Sequence, residues 1–140
     1  MIERLTKDSN CLDILDSYFD TFNKDKVIYD IENNIFTNYY IYKENEEVVA
    51  YINYQVMYER SELININVLD NYQNIGIASK LMEFMLNDLK SKNVESITLE
   101  VKETNLKAIH LYEKYGFKKI SIRKGYYQGI DGILYKKEMI

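Results

Sequence analysis

The chain has 140 residues, with no proline, one cysteine, one histidine and five glycines. A lone cysteine, Cys11, leaves no internal disulfide to form and no partners at metal-ligand spacing, so neither a disulfide framework nor a metal site is expected. No apolar run reaches the ~18 residues that cross a bilayer. The start, Met1-Ile2-Glu3-Arg4, lacks the apolar core of a signal peptide, and the expectation is a soluble, cytoplasmic protein with no membrane partner. An excess of basic charge is missing too: the net charge of −4 argues against a nucleic-acid partner. No stretch rich in Pro, Gly or Ser breaks the sequence, and 46% of it is hydrophobic. Residues 1–140 are therefore expected to form one domain, as a monomer or weak dimer. The missing proline, set beside abundant Asn, Ile, Lys and Tyr, reads as coding bias and carries no functional inference.

What is present is unevenly charged. Residues 1–75 hold 6 Lys/Arg and 14 Asp/Glu, a balance of −8, whereas residues 76–140 hold 12 and 8, a balance of +4. The first half would attract a cation and the second an anion, although solvated surface charge explains the same numbers.

Periodicity places the elements. Asp8 or Ser9 is a candidate cap for a helix with apolar positions 11, 14, 15, 18, 19 and 22, and the face shared with Ile14, Leu15, Tyr18, Phe19 and Phe22 gives Cys11 a packing role. A short second helix is expected at Lys24 to Asn33. The period then falls to two: strands at Tyr39 to Lys43, Val48 to Tyr58 and Glu62 to Leu69 form a meander, the first pair joined by a turn at Glu44-Asn45-Glu46. A helix follows from Ser79 to Leu89, with Ala78, Leu81, Met82, Met85 and Leu89 on its sheet-facing stripe. Strand Val94 to Val101, helix Asn105 to Tyr115 closed by Gly116, and strands Phe117 to Arg123 and Ile133 to Met139 complete the chain. The fold class is α/β, with a mixed, mostly antiparallel sheet of about six to seven strands, about four helices and a β-α-β crossover.

The strand Leu63 to Leu69 runs through Asp70-Asn71-Tyr72-Gln73-Asn74-Ile75-Gly76-Ile77-Ala78 into a helix. A strand feeding a Gly-bearing turn at a helix start aims unpaired N–H groups and the positive end of the helix dipole at one point. That point suits an anion, most often a phosphate. In a β-α-β unit the ligand binds at the carboxyl ends of the strands, so Glu100, Lys102 and Asn105 are expected at the same edge as the turn, with Asn105 and Tyr112 on one helix face. Each has an ordinary role when taken alone: Glu100 as a solvent-facing strand residue, Asn105 as a helix cap, Tyr112 as one core aromatic among 14 tyrosines. Their joint spacing favours a site.

The order of strand, Gln73-Asn74-Ile75-Gly76-Ile77-Ala78, helix, Leu99-Glu100-Val101-Lys102-Glu103-Thr104-Asn105 and Ala108-Ile109-His110-Leu111-Tyr112-Glu113-Lys114-Tyr115-Gly116-Phe117 resembles the GNAT superfamily of acetyltransferases. The phrase Leu-Glu-Val-Lys-x-x-Asn, the Leu-Tyr-Glu-x-x-Gly-Phe helix end and Arg123-Lys124-Gly125-Tyr126-Tyr127 resemble its RimI-type branch, which acetylates N-termini of ribosomal proteins. Residues 48–140 carry the likeness, and the first 47 follow it in layout.

The resemblance implies the GNAT fold, acetyl-CoA as donor and a protein N-terminal α-amine, in the family case of a small-subunit ribosomal protein, as acceptor. It places the pyrophosphate on the turn from Gln73 through Asn74, Ile75, Gly76, Ile77 and Ala78 to Ser79, and the pantetheine arm along Ile66, Asn67 and Val68. The Val68 N–H would bond the thioester oxygen, and Asn105 would hold the arm from its other side. Glu100 becomes the base, directly or through a water, and Tyr112 the acid beside the sulfur. An α-amine of pKa ~7.7–8.0 is about a tenth neutral at pH 7, and lysine at ~10.4 under a thousandth, so a carboxylate base suits an N-terminus better. His110, off the Tyr112 face, reads as a surface or packing residue.

Two departures from the pattern stand out. The turn lacks the usual Arg or Lys and has Ala78 in place of its last Gly, and the stretch Gln128 to Leu134 is shorter and less acidic than the corresponding RimI-type loop. Two alternatives stay open: a relative acetylating a small-molecule amine or a lysine, and a module that senses acetyl-CoA without turnover.

Overall fold

The computed structural model describes residues 1–139. Aromatic and β-branched residues at period two build seven strands, β1 (Ile2–Arg4), β2 (Thr37–Glu44), β3 (Glu47–Met57), β4 (Arg60–Val68), β5 (Ser96–Lys102), β6 (Lys118–Tyr127) and β7 (Ile130–Glu138). Amphipathic stretches give α1 (Leu12–Tyr18), α2 (Lys24–Asn33), α3 (Ile77–Ser91) and α4 (Leu106–Lys114). One sheet holds the strands in the order β1-β2-β3-β4-β5-β7-β6. Only β4 and β5 run parallel, because α3 carries the chain across between them. The α/β class, the meander and the crossover are as the periodicity predicts.

Each face of the sheet has its own core. Ile77, Leu81, Met82, Met85 and Leu89 of α3 and Tyr112 of α4 pack on Ala50, Ile52, Tyr54, Leu63, Ile97, Leu99 and Val101. Each of these α3 side chains is at most 2% exposed, and burial contributes ~2 kcal/mol for one of this size. On the opposite face Leu12 and Leu15 of α1 and Val27 of α2 pack on Tyr39, Ile41, Val48 and Tyr51, a core whose strand residues come from β2 and β3.

The structure corrects the expected elements in several places. The first helix is short: Cys11 is its N-cap without a side-chain bond, and the Ser9 hydroxyl instead accepts the Thr6 N–H at 2.9 Å in the preceding turn. The chain leaves α1 in extended conformation at Phe19, which lets Phe19 and Phe22 both pack edge-on against Tyr51, at 5.2 and 5.3 Å. Ile14 and Tyr18 consequently face solvent, whereas Cys11 is buried and its thiol is pushed up by that burial. Strand β1, unmarked by any period over its three residues, pairs with β2. The stretch after Tyr127 is a hairpin, in which Gln128 and Gly129 take φ of 50° and 93°, so β7 begins at Ile130. Asn45 and Glu46, at φ of 51° and 69°, form the expected turn between β2 and β3.

The feature that positions the site is a parting of the sheet. Parallel pairing of β4 with β5 stops after Arg60↔Ser96, Ser61↔Ile97 and Glu62↔Thr98. A bulge in β4 skips Ile64 opposite Asn53 and Tyr54 and bends the strand, which then follows β3 as far as Val68 while β5 follows β7. Between the diverging halves lies a gap edged by unpaired backbone.

Candidate active site

At the mouth of that gap, a one-turn 3-10 helix at Asp70–Tyr72 leads into the turn before α3. Asn74 and Gly76 take left-handed φ of 65° and 89°; asparagine tolerates this conformation and glycine adopts it without strain. Gly76 caps α3 with no side-chain bond, and the first helical bond runs from the Lys80 N–H to the Gly76 oxygen at 3.0 Å. The N–H groups of Ile77, Ala78 and Ser79 thus open the helix with no side chain satisfying them, a cradle for an anion. Ala78 sits in helical geometry, so its methyl replaces the usual glycine hydrogen without backbone strain.

The cradle belongs to a cavity of about 460 Å³ between the β4 end, the turn and α4. Ile66, Asn67, Val68, Gln73, Asn74, Gly76, Ala78, Ser79 and Asn105 all line it. Two of the expected residues do not: Ile75 is 60% exposed, and Ile77 is buried in the core where the stripe was expected to hold Ala78. Only their backbones border the turn.

The edge of β4 has a definite polarity. The Leu69 N–H donates to the Val49 oxygen at 2.9 Å, so in this antiparallel pair the peptide groups of Leu69 and Asn67 point to β3. Those of Ile66 and Val68 point the other way, into the gap. The Val68 oxygen there accepts from Gln73 Nε2 at 3.0 Å, which leaves the Val68 N–H directed at the opening. Across the cavity, Asn105 caps α4, its Oδ1 accepting the Ala108 N–H at 3.3 Å. The structural role foreseen for Asn105 and its place on the cavity wall therefore coexist.

Glu100 and Tyr112 lie elsewhere than the sequence suggested. Neither lines the cavity, and they occupy opposite faces of β5. Leu99 and Val101 face the α3–α4 core that contains Tyr112, so Glu100, between them, projects from the other face. Tyr112 is 8% exposed, and burial alone pushes its phenol up to about 12. No hydrogen bond contributes to that shift, and no buried polar side-chain atom among the described residues is unsatisfied, so the Tyr112 hydroxyl opens onto solvent-accessible space. On the far face Glu100 is held by Arg123 Nη1, at 3.0 Å to Oε2, and by the Tyr127 hydroxyl at 3.1 Å to Oε1. Burial and the bond to Glu100 raise the Tyr127 phenol above its ordinary value. Gly132 of β7 makes room for this cluster: a Cβ there would lie 3.0 Å from the Tyr127 ring and 3.5 Å from the Glu100 carboxyl carbon.

Sequence reasoning missed Tyr72, Lys107, Ala108, His110 and Leu111 of the cavity wall. Ala108 and Leu111 follow Asn105 at helical spacing, a signal open to reading, whereas nothing marks Lys107. His110 is on the surface, as expected, but at the cavity. The supports of Glu100 were missed because β6, β7 and β5 meet only in the folded sheet.

The sequence profile described as Acetyltransferase (GNAT) family matches residues 9–117. The chain belongs to that family. Over 89 residues, 64% of this chain and 60% of the relative, it is 36% identical to the [ribosomal protein bS18]-alanine N-acetyltransferase of Escherichia coli. The match thus spans less than two thirds of that relative's length. The crystal structure of the ribosomal-protein-S18-alanine N-acetyltransferase from Escherichia coli aligns with a TM-score of 0.84 at 24% identity, over 99% of this chain and 94% of that one. A GNAT acetyltransferase from Elizabethkingia anophelis with acetyl-CoA bound aligns at 0.80 and 22% identity, over 99% and 97%. The seven-stranded, mostly antiparallel sheet with four helices is therefore the GNAT fold. Among the described residues no helix is long and apolar enough to cross a membrane, and no group of three or more His, Cys, Asp or Glu is placed to hold a metal.

Proposed function

We propose that the chain transfers acetyl from acetyl-CoA to the N-terminal α-amine of a protein, with a small-subunit ribosomal protein as acceptor. The observation that carries this reading is the β4–β5 gap, with the anion cradle at its mouth and Glu100 on the face of β5 opposite the α3–α4 core. A thioester in such a slot is reachable from both faces. That matters because the amine must approach its carbonyl carbon from one side while the thiolate departs toward another.

The N–H groups from Asn74 to Ser79 receive the pyrophosphate, and the outward peptide groups of Ile66 and Val68 hold the pantetheine arm as an added strand, with Asn105 opposite. The Val68 N–H donates to the carbonyl oxygen as charge develops there. Glu100 takes the proton of the attacking nitrogen, directly or through a water, the C–N bond forms and the C–S bond breaks. Tyr112, a phenol protonated at neutral pH, gives a proton to the departing sulfur. The products are an N-acetylated amine and CoA, and neither residue forms a covalent intermediate. The support for an N-terminal acceptor is the 36% identity to a ribosomal-protein-alanine acetyltransferase and the match of a carboxylate base to an α-amine.

Released CoA is followed with acetyl-CoA and peptides beginning Ala-Arg, beside polyamines and free lysine. CoA release with the peptides is expected. Release with polyamines or lysine alone would move the acceptor to another class, and tight acetyl-CoA binding with no release on any amine would make the protein a sensor.

A further inference from the structure

The turn that cradles the anion carries no basic side chain. Its own charged residue is Asp70, whose carboxylate lies 3.2 Å from Gln73 Nε2. A cation does reach the cavity, but from another element: Lys107 of α4 lines it, with Nζ 3.0 Å from Gln73 Oε1. No carboxylate pairs with this ammonium among the described residues; its partner is a neutral amide oxygen. An ammonium held by a neutral group in the same cavity as uncapped helix N–H groups adds to the attraction for an anion.

We propose that Lys107 supplies the cation the turn lacks and binds the diphosphate of the acyl-CoA donor. The inference rests on reading the cavity as an acyl-CoA site and adds a residue that the turn motif does not contain. Gln73 decides which phosphate is meant. Its Nε2 bonds the Val68 oxygen at the pantetheine edge, at 3.0 Å, while its Oε1 bonds Lys107. One amide side chain therefore spans from the strand edge to the ammonium, which puts Lys107 at the pantetheine end of the turn. Along the donor the diphosphate follows pantetheine directly, and the 3′-phosphate lies beyond it on the ribose.

Lys114, two helical turns farther along α4, is an internal control. Its Nζ bonds Ser79 Oγ at 3.2 Å, also without a carboxylate, but it lies outside the cavity lining. Both lysines are exposed, so replacing either removes equal charge at little cost to folding.

The test measures dissociation constants of acetyl-CoA and dephospho-acetyl-CoA on the full chain by calorimetry, across a salt series. Lys107→Ala should weaken both donors by about tenfold and flatten the salt dependence, and Lys107→Arg should restore most of the affinity. Lys114→Ala should change both by less than about twofold. A Lys107→Ala defect that disappears with dephospho-acetyl-CoA would assign the lysine to the 3′-phosphate and overturn the proposal. An equal defect in Lys114→Ala would reduce the effect to a diffuse field and overturn it as well, as would unchanged binding by Lys107→Ala. Failure of the unmodified chain to bind acetyl-CoA would instead remove the underlying reading of the cavity.

Discussion

Replacing Tyr112 by phenylalanine removes a single hydroxyl, and the structure separates what that hydroxyl does for folding from what it does for chemistry. The ring packs in the α3–α4 core, edge-on to Phe117 at 6.0 Å between centroids, and phenylalanine keeps that contact. The hydroxyl has no hydrogen-bond partner among the described residues, so stability at neutral pH should move by less than ~0.5 kcal/mol. Loss of a general acid costs ~10²–10⁴ in rate, or about 3 to 5 kcal/mol of barrier. The turnover number should fall by that order while the dissociation constant for acetyl-CoA stays within about twofold. Steady-state release of CoA on an N-terminal peptide reads the rate, and calorimetry reads the binding.

Tyr54→Phe is the control: its hydroxyl donates to Asp88 at 2.6 Å, so that variant should lose ~1.5–3 kcal/mol of stability and keep its turnover. Alkaline unfolding gives a further check on Tyr112. Its folded pKa of about 12 lies above the unfolded value, so tyrosine and phenylalanine have near-equal stability below that unfolded value, and the balance turns against tyrosine as pH rises through it. With an unfolded pKa of ~10, wild type should lose ~2 kcal/mol relative to Tyr112→Phe as pH rises to ~12. Unchanged turnover in Tyr112→Phe, or equal turnover loss in both variants, refutes the acid assignment.

Gly132→Ala tests the acceptor-side cluster: the added methyl lies 3.0 Å from the Tyr127 ring, which must shift and weaken its bond to Glu100. The acceptor KM should rise several-fold on the order expected for a displaced positioning contact, with acetyl-CoA binding unchanged; a rise in the acetyl-CoA dissociation constant instead would place Gly132 on the donor side. Glu100→Gln keeps an acceptor for the Tyr127 hydroxyl but removes the base and the charge opposite Arg123. Turnover should fall by ~10² near neutral pH and recover toward pH 9, where an α-amine of pKa ~7.7–8.0 deprotonates unaided. A defect that does not narrow with rising pH would take Glu100 out of the base role.

The parts of the molecule built from neighbouring residues were legible in the sequence. The stripe Leu81, Met82, Met85 and Leu89 marks α3, period-two runs mark β2 to β5, and Gly76 marks the turn, because each depends on the chain's own periodicity and on one backbone conformation. The same locality explains why eight of the residues proposed for the donor site, from Ile66 to Ser79, line one cavity: they follow one another along strand, turn and helix, and Asn105 joins them from the start of α4.

What failed to show was decided by contacts between distant segments. The end of α1 is fixed by Phe19 and Phe22 closing on Tyr51, some thirty residues later in the chain, which no local period reports. Glu100 and Tyr112 could be named from spacing, but their opposite faces follow from which side of β5 the α3–α4 core buries. The gap between β4 and β5 exists because β4 bends at its bulge to stay with β3 while β5 stays with β7. Lys107 reaches Gln73 only when α4 is laid across the turn. The sequence by itself determined the cradle, a matter of local backbone geometry. Tertiary structure alone decided what stands around it, because the side chains that would meet the phosphate, the thioester and the amine come from separate elements that only the folded sheet brings together.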